Sequence, residues 1–295
     1  MNSIILTIAI PTYNMEKWLE KNLNTYRDER LSRRIEVLCL NNASEDASKE
    51  IIKRFADENP DIFRLIDRSS RGYGSSINDA IQQAKGKYFR IVDADDWVNT
   101  EALIELVDLL EIDDIDVVLT DYRMVNLQTS KEVLVCAAEH RVPYGTVQNN
   151  FYWPKVTCPS IHNTTYKTSL LVDHGFYMQD KMFFVDEEYV IIPYLWAKNV
   201  IYYPLDLYRY QVADPNQSTS PQNRAKYQDH REKILRRLVQ TYEIAEETGA
   251  STDSLEYCFE RIQRGIGDHF TTLYIYVKDR RKGYELAEAW IGYVR

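Results

Sequence analysis

The sequence has few of the features that mark secreted, membrane-spanning or nucleic-acid-binding proteins. Its 295 residues include only four cysteines, and no two of them form a CxxC pair. Scattered thiols of this kind argue against a disulfide scaffold or a zinc site, and they favour a cytoplasmic location. The first residues lack a basic region and a cleavage site, so we expect a first strand there and not a signal peptide. The cysteines are Cys39, Cys136, Cys158 and Cys258.

Other absences narrow the class of protein further. No run of 18 apolar residues occurs, so no membrane-spanning helix is expected. The net charge is −9 and no basic stripe is present, so nucleic acid is not an expected partner. There is no internal repeat, and the content of 44% apolar and 27% charged residues is typical of a globular chain. The sequence ends without a helix-stop signal, which is the pattern of a truncated chain.

The first 120 residues alternate apolar strands with amphipathic helices. This alternation predicts βαβ units and therefore an α/β fold with a mostly parallel sheet. Ligands on such sheets bind at the carboxyl ends of the strands. The predicted strands are Ile4–Ile10, Ile35–Leu40, Phe63–Ile66, Tyr88–Val92 and Val117–Thr120.

The remaining chain is less regular and then becomes helical. A helix is predicted over Asp186–Ala197, where carboxylates follow an apolar run. After Pro221, two apolar stripes at helical spacing are separated by Gly249, which predicts an α-helical C-terminal subdomain. We expect one domain over residues 1–220 and this helical subdomain over residues 221–295.

Three carboxylates follow the fourth predicted strand in the pentad Asp93-Ala94-Asp95-Asp96-Trp97. Carboxylates crowded together repel each other, and a cation or hydrogen-bond donors among them relieve that cost. Mg²⁺ carrying a diphosphate meets this need, because it favours one or two carboxylates plus substrate phosphates. The alternative is a capped loop in which Asp96 or Asn99 begins the next helix.

Polar motifs at the strand ends occur in a characteristic order. They are Pro11-Thr12-Tyr13-Asn14, Asn41-Asn42-Ala43-Ser44-Glu45-Asp46, Arg71-Gly72-Tyr73-Gly74, Ala84-Lys85-Gly86-Lys87-Tyr88 and Asp93-Ala94-Asp95-Asp96. In this order and spacing they resemble the family 2 glycosyltransferases, which have the GT-A nucleotide-sugar fold. The resemblance covers roughly the first 120 residues and continues weakly to about residue 220.

The resemblance implies a Rossmann-like GT-A catalytic domain and metal-dependent, inverting transfer from a nucleotide-diphosphate sugar, chiefly a UDP-sugar, to a hydroxyl group. By position, the loop Pro11-Thr12-Tyr13-Asn14 would lie beside the nucleoside. Asp93 would lie near the ribose and the metal, and Asp95 would bind Mn²⁺ or Mg²⁺. Asp96 would contact the donor sugar, and Ala94, between Asp93 and Asp95, is expected to be part of the nucleotide-sugar-binding site.

The second strand departs from the family pattern. A pair of aspartates is usual there, and this chain has Asn41-Asn42. An amide offers both a donor and an acceptor, so Asn42 is expected to pair with a base edge. The alternative is that both asparagines only satisfy a turn. The missing charge leaves the base specificity open.

Inverting transfer needs a carboxylate that accepts the proton of the attacking hydroxyl. The segment Phe183-Phe184-Val185-Asp186-Glu187-Glu188-Tyr189 resembles the acidic base motif of the family. Asp186 is the predicted base and Glu187 the second candidate. The alternative is that Asp186 caps the helix and the glutamates favour its dipole.

Other residues are weaker candidates. His162 is predicted to line the acceptor cleft or to donate to a phosphate, and Arg71 to meet a phosphate or the donor sugar. For both, a purely structural or solvated role is the alternative. A loop closing over the diphosphate would involve Arg209, Gln217 and Ser218, and Trp97 and Trp153 would stack on sugars unless they are core residues.

Two other functions fit parts of the pattern. A sugar nucleotidyltransferase also uses carboxylate-bound Mg²⁺, but it would favour a Gly-rich loop after the first strand, where this chain has Pro11-Thr12-Tyr13-Asn14. A non-catalytic nucleotide-sugar-binding scaffold is the other.

For the transferase, the resemblance implies a glycan, lipid-linked or protein acceptor in surface polysaccharide, teichoic-type polymer or glycoprotein glycan synthesis. The C-terminal helices would serve homo-oligomerisation, partner docking or acceptor placement, and peripheral association with the inner face of the membrane is compatible.

Overall fold

The computed structural model describes residues 4–137, 145, 147, 159–212 and 220–294. Within these ranges the chain forms one sheet with helices on both faces. The strands are β1 (Leu6–Thr12), β2 (Ile35–Asn42), β3 (Phe63–Arg68), β4 (Tyr88–Ile91), β5 (Trp97–Val98), β6 (Val117–Asn126), β7 (Lys131–Val135), β8 (Thr164–Lys167) and β9 (Val200–Val212). The helices are α1 (Glu16–Asn24), α2 (Ser48–Glu58), α3 (Tyr73–Gln83), α4 (Thr100–Ile112), α5 (Thr168–Asp173), α6 (Asp186–Ile191), α7 (Pro221–Lys226), α8 (Gln228–Glu247), α9 (Thr252–Thr271) and α10 (Arg280–Val294).

The strand order is β3-β2-β1-β4-β8-β6-β9-β5, with β7 paired to β6. β1 to β4 are mutually parallel, as the alternation of strands and helices predicts. The second half is mixed: β8 is antiparallel to β4 and β6, β9 is parallel to β6, and β5 is antiparallel to β9. β6 and β7 form an antiparallel hairpin, because the short connection between them leaves no room for a crossover helix.

The central strands are buried on both faces, and alternate side chains enter two different cores. Every residue of β1 and β2 is buried. In β2, Leu38 and Leu40 enter the core on the α3 side, whereas Val37 and Cys39 enter the core with α1, α2 and α4. Continuous apolar strands of this kind belong to parallel sheets covered on both sides. The carboxyl ends of β1, β2 and β4 therefore open at one edge of the sheet.

The helix predicted over Asp186–Ala197 is shorter in the structure. It ends as α6 and is followed by the 3₁₀ segment Pro193–Leu195, because Pro193 cannot donate the N–H that the helix would need.

The C-terminal helices pack into the same core as α6. Tyr257 donates a hydrogen bond to the carbonyl of Val190 at 2.9 Å, and the thiol of Cys258 lies 3.4 Å from the carbonyl of Ile191. Residues of α8, α9 and α10 share this apolar cluster with the sheet. The division into domains at residue 220 stays a proposal. Among the helices that the structure describes, none combines the length and the apolar content needed to cross a bilayer.

Candidate active site

The loops after β1 and β2 are bound to each other. Asn14 and Ala43 have left-handed backbones, with φ of 53° and 54°. The Asn14 side chain accepts a hydrogen bond from the backbone N–H of Glu45 at 2.8 Å. The Arg71 guanidinium lies 4.3 Å from the ring centre of Tyr13 and forms an ion pair with Glu45. The predicted nucleoside loop and Arg71 are therefore brought together at the carboxyl ends of the strands.

The asparagines that replace the family's aspartates are buried and bonded within the protein. Asn41 donates to a carboxylate oxygen of Asp67 at 2.8 Å and accepts the N–H of Ser44 at 3.2 Å, as a turn-forming side chain does. Asn42 accepts a hydrogen bond from Arg68 at 2.6 Å. This contact fixes the amide so that its Nδ2 group is the one turned away from Arg68.

Tyrosines and a backbone N–H hold the acidic pentad after β4. The hydroxyl of Tyr73 donates to Asp93 Oδ1 at 2.8 Å. The hydroxyl of Tyr208 donates to Asp96 Oδ2 at 2.5 Å, and the N–H of Gln211 donates to Asp96 Oδ1 at 2.7 Å. Asp96 therefore joins the pentad to the end of β9.

Asp96 does not cap the helix that follows the pentad. Asn99 is the N-cap residue of α4, and its side chain accepts the N–H groups of Glu101 and Ala102 at 3.1 and 3.3 Å. The capped-loop interpretation is correct for Asn99. Because Asn99 caps α4, none of the three carboxylates of the pentad is needed for capping that helix.

Burial and neighbouring charges raise the pKa of two carboxylates of the pentad. Burial, followed by the charges of Asp95 and Asp186, raises the pKa of Asp93 to about 7, although the Tyr73 hydrogen bond acts in the other direction. Burial beside Asp95 and Asp93 also raises the pKa of Asp96. A bound cation would reverse both shifts, because it favours the ionised carboxylates.

His162 lies against this cluster as a neutral imidazole. Its ring stacks on Tyr210 with centroids 4.1 Å apart. Burial and the nearby positive charge of Arg90 lower the pKa of His162 to about 3. Arg90 is itself buried in the sheet and donates to the backbone carbonyl of His162. The Nδ1 atom of His162 is buried, and the described residues offer it no hydrogen-bond partner.

These side chains can hold a divalent cation. Asp93, Asp96 and His162 can each offer one ligand atom, and these three atoms lie within 4.8 Å of one another. Carboxylate oxygens with a neutral imidazole nitrogen suit Mn²⁺ and accept Mg²⁺, and the unpartnered Nδ1 atom and the raised carboxyl pKa values fit the same ion. Asp95, the predicted metal ligand, is half-buried in the same turn.

A cavity of about 550 Å³ opens over the cluster. Asp93, His162 and Tyr210 line one part of its wall, and Asp186 lines another. Asp186 is the first residue of α6, and the residue in the capping position is Val185. Asp186 is an exposed residue of the cavity wall. Desolvation by the protein atoms around it nevertheless raises the pKa of its carboxyl, and Arg231 opposes the rise.

Glu187, the second candidate base, has a different environment from Asp186. Its Oε1 atom forms an ion pair with Arg231 of α8 at 2.5 Å. Burial raises the pKa of Glu187 to about 7, even though Arg231 lowers it. Glu187 is not part of the 550 Å³ cavity wall.

Some predicted residues lie away from the cavity. Arg209 binds Asp206 at 2.7 Å within β9, and Trp97 lies beneath the ammonium group of Lys21, 2.9 Å from the ring centre. Trp153, Gln217 and Ser218 lie outside the described residues. The sequence prediction missed Tyr73, Tyr208 and Tyr210 as site residues. The two-residue alternation of a strand would have grouped Tyr208 with Tyr210 and turned Arg209 to the other face.

The comparison with protein families decides the assignment. The family model described as "Glycosyl transferase family 2" matches residues 7–175, more than half of the 295-residue chain. The chain belongs to this family. The resemblance predicted from the strand-end motifs is thereby confirmed.

Proteins of similar sequence include two from Staphylococcus aureus and Bacillus spizizenii. The chain is 24% identical over 177 residues to the poly(ribitol-phosphate) beta-N-acetylglucosaminyltransferase TarS of Staphylococcus aureus. The aligned region covers 60% of this chain and 30% of that protein. It is 29% identical over 124 residues to a poly(ribitol-phosphate) beta-glucosyltransferase of Bacillus spizizenii, covering 41% of this chain and 19% of that protein. The chain thus matches less than a third of the length of either relative.

Solved structures of two glycosyltransferases show the same fold. The structure of TarS 1–349 from S. aureus in complex with UDP-GlcNAc aligns with a TM-score of 0.56 and 18% identity, covering 91% of this chain and 81% of that one. The mannosyltransferase PcManGT of Pyrobaculum calidifontis, in complex with GDP-Man and Mn²⁺, aligns with a TM-score of 0.53 and 16% identity, covering 98% and 80%. The predicted GT-A-type fold with C-terminal helices is confirmed.

Proposed function

We propose that this protein is a metal-dependent, inverting glycosyltransferase that moves a sugar from a nucleoside diphosphate sugar to a hydroxyl group. One observation carries the proposal: Asp93 of the acidic pentad and Asp186 of α6 line the same 550 Å³ cavity at the carboxyl ends of the parallel strands. The donor diphosphate would bind on the Asp93 side, and the acceptor hydroxyl would approach Asp186.

Asp186 is the proposed general base. It accepts the proton of the acceptor hydroxyl as the oxygen attacks the anomeric carbon and the nucleoside diphosphate leaves. Its raised pKa suits this task, because a base is most effective when its pKa lies close to the working pH. A single displacement of this type inverts the anomeric configuration.

Asp93, Asp95, Asp96 and His162 are the proposed ligands for Mn²⁺ or Mg²⁺. When bound, such an ion neutralises the charge that develops on the leaving diphosphate. The chain's own contribution is to hold these side chains in place, through Tyr73 on Asp93 and Tyr208 on Asp96.

The nucleoside is proposed to bind at the loops after β1 and β2, beside Tyr13 and Arg71. UDP is the proposed nucleotide, since TarS binds UDP-GlcNAc in its structure. The Nδ2 group of Asn42 donates one hydrogen to the Ser76 hydroxyl at 3.4 Å. Its second hydrogen matches an acceptor on the edge of uracil, so the change from aspartate to asparagine is compatible with this base.

The acceptor is proposed to be a hydroxyl group of a surface polymer, of which a teichoic-type chain is one example. This follows the names of the two poly(ribitol-phosphate) transferases that the chain matches in part. Cytoplasmic location, association with the inner face of the membrane and oligomerisation through the C-terminal helices stay predictions from the sequence.

A donor screen tests the proposal. The purified protein is incubated with UDP-, GDP- and other nucleotide sugars, Mn²⁺ and a panel of acceptors, and nucleoside diphosphate release is measured with and without EDTA. We expect release that EDTA abolishes, and a product of inverted configuration by NMR. The absence of release from every donor would refute the proposal.

A pair of matched variants identifies the base. Asp186→Asn should lower the transfer rate by about 10²- to 10⁴-fold, the usual contribution of a general base, and leave UDP binding intact. Asp57→Asn makes the same chemical change on an exposed position of α2 and should have no effect. Undiminished transfer by Asp186→Asn would remove Asp186 from the mechanism.

A further inference from the structure

A second, smaller cavity adjoins the first at Asp186. Its volume is about 210 Å³, and its wall combines the start of α6 with residues of the C-terminal helices. Phe184 and Asp186 line both cavities. The proposed base therefore lies where the two cavities meet, and a group bound in the smaller one would present its hydroxyls to Asp186.

The polar groups of the smaller cavity leave one acceptor unsatisfied. Arg231 binds Glu187 Oε1 at 2.5 Å and lies 4.0 Å from a carboxylate oxygen of Asp268. The Oε2 atom of Glu187 is buried, and no hydrogen-bond partner for it exists among the described residues. A buried acceptor without a partner is costly, so a hydroxyl entering beside Glu187 gains a hydrogen bond that the protein alone does not provide.

The charges around this cavity favour a neutral occupant. Its wall contains the carboxylates of Asp186, Glu187 and Asp268 and the guanidinium groups of Arg224 and Arg231. Arg261 also acts on the charges of Asp186 and Glu187. The three carboxylates and three guanidinium groups balance, so no net positive charge attracts a phosphate or carboxylate. Donors and acceptors placed side by side suit the adjacent hydroxyl groups of a sugar or polyol.

Phe184 gives the cavity an aromatic wall and is held in an unusual backbone conformation. Its φ is 69°, in a region that bulky side chains rarely adopt, and such strain is concentrated at functional sites. The Arg231 guanidinium lies 5.6 Å from the Phe184 ring centre. An aromatic face suits the apolar face of a sugar ring. The volume of 210 Å³ is below the roughly 300–1,000 Å³ of pockets for drug-sized ligands, so the space suits one ring or a short polyol.

We propose that the 210 Å³ cavity is the acceptor subsite, and that it takes one neutral, hydroxyl-rich unit bound by Glu187 and Arg231 against Phe184. This rests on the proposed function, since Asp186 must be the base that the two cavities share. It assigns the C-terminal helices a role in choosing the acceptor. If the acceptor is a polyol phosphate polymer, its phosphate groups lie outside this cavity.

The direction in which Glu187→Gln changes the acceptor KM tests the subsite. At pH 8, above the pKa of about 7 that burial gives Glu187, its carboxylate is mostly ionised. For a neutral hydroxyl-bearing acceptor, loss of this charged hydrogen-bond acceptor should raise the acceptor KM by about tenfold. For an anionic occupant the same substitution removes a repelling charge and should lower KM. The probes are ribitol, glycerol and methyl glycosides, compared with ribitol 5-phosphate and glycerol 3-phosphate. A fall in KM for the phosphates with no change for the neutral probes would overturn the proposal.

Controls separate this proposal from the glycosyltransferase assignment. Donor affinity, measured by UDP titration, should be unchanged in Glu187→Gln, because Glu187 is not part of the wall of the 550 Å³ cavity. Glu232→Gln removes a carboxylate from the Arg236 ion pair within α8 and should not alter KM. Wild-type protein that releases no nucleoside diphosphate contradicts the proposed function. Active wild-type protein whose acceptor KM does not respond to Glu187→Gln contradicts the subsite alone.

A second variant covers the case in which Glu187→Gln does not fold. The Asp268 side chain is 55% exposed, so Asp268→Asn should fold normally. We expect it to raise the acceptor KM a few-fold and to weaken saturation-transfer NMR signals of the neutral probes on the UDP-bound protein. Unchanged KM and unchanged signals would count against the subsite.

Discussion

At the scale of single residues, the proposal that Asp186 is the general base predicts how the reaction depends on pH. Its pKa is raised by desolvation, and a general base works only when deprotonated. The value of kcat/KM should therefore fall as the pH decreases through the pKa of Asp186. The acid limb should lie above the value of about 3.9 for an ordinary aspartate.

A pH–rate profile with saturating Mn²⁺ measures this limb. Asp57→Asn should reproduce the wild-type curve. A rate that stays constant down to about pH 4, the range of an unperturbed aspartate, would contradict the assignment of Asp186.

A second prediction at this scale concerns Tyr73. Its hydroxyl donates to Asp93 at 2.8 Å and lowers the pKa of that carboxyl. Tyr73→Phe should leave Asp93 more protonated at neutral pH and weaken binding of the metal–donor complex by about tenfold to a hundredfold, the usual effect of losing a hydrogen bond to a charged group. Isothermal titration with UDP and Mn²⁺ measures the loss.

Tyr203→Phe is the matched control for Tyr73→Phe. The Tyr203 hydroxyl donates to Asp113 at 2.7 Å, so the same kind of hydrogen bond is removed from a residue that does not line the proposed donor cavity. Equal loss of UDP affinity in both variants would mean that Tyr73 acts only through general stability.

At the scale of elements, the start of α3 is held closely against the segment that leads to α6. A side-chain methyl on Gly74 would overlap the backbone carbonyl of Gln179, and Asn78 of α3 binds both backbone groups of Met178, at 2.7 and 2.9 Å. Gly74→Ala should therefore destabilise the protein by about 1–3 kcal/mol, the usual effect of overpacking.

The opposite result is expected for Gly267→Ala in α9. A methyl there meets no described atom within 4 Å beyond its own helix, so the better helix propensity of alanine should stabilise by up to about 1 kcal/mol. Urea denaturation of both variants measures the two signs. Stabilisation by Gly74→Ala would show that α3 is not confined by Gln179.

The elements also show what the sequence could and could not predict. The strands of the parallel half were predictable because each is a short apolar run ending in polar residues. The full length of β9 could not be predicted, since Pro204 lies within it and a proline is expected to end a strand. In the structure the pairing register with β6 shifts after Tyr203, and the strand continues to Val212. A bulge that accommodates a proline depends on the partner strand, which sequence patterns do not reveal.

The candidate site divides in the same way. Asp93 was predictable as a candidate because it follows an apolar strand, and Asp186 because it follows an apolar run at the start of a helix. Arg231 was not, because it lies 44 positions after Glu187 and meets it only when α8 packs on α6. Contacts between distant elements depend on tertiary packing, and a single sequence carries no direct signal of them.

At the scale of the whole molecule, the apolar core extends without interruption from the sheet through α6 into the C-terminal helices. Because residues such as Tyr189, Leu238 and Ile262 share one cluster, removing residues 221–294 would expose a large apolar surface. We expect heat to unfold the full chain in one transition, with equal calorimetric and van't Hoff enthalpies.

Differential scanning calorimetry measures this cooperativity. A protein ending at residue 220 serves as the comparison and should show no cooperative transition. Two separate transitions in the full chain, the first matching the truncated protein, would instead establish two independently stable domains.

The shared wall of Phe184 and Asp186 also has a kinetic consequence. In the proposed mechanism the base lies between the two cavities, and a single displacement forms no covalent intermediate. Both substrates must therefore be bound before the sugar moves. Initial-rate plots should therefore intersect, as they do for a ternary-complex mechanism, and should not be parallel. Water that enters the smaller cavity in place of the acceptor would meet the same base, so the acceptor should compete with hydrolysis and suppress it as its concentration rises.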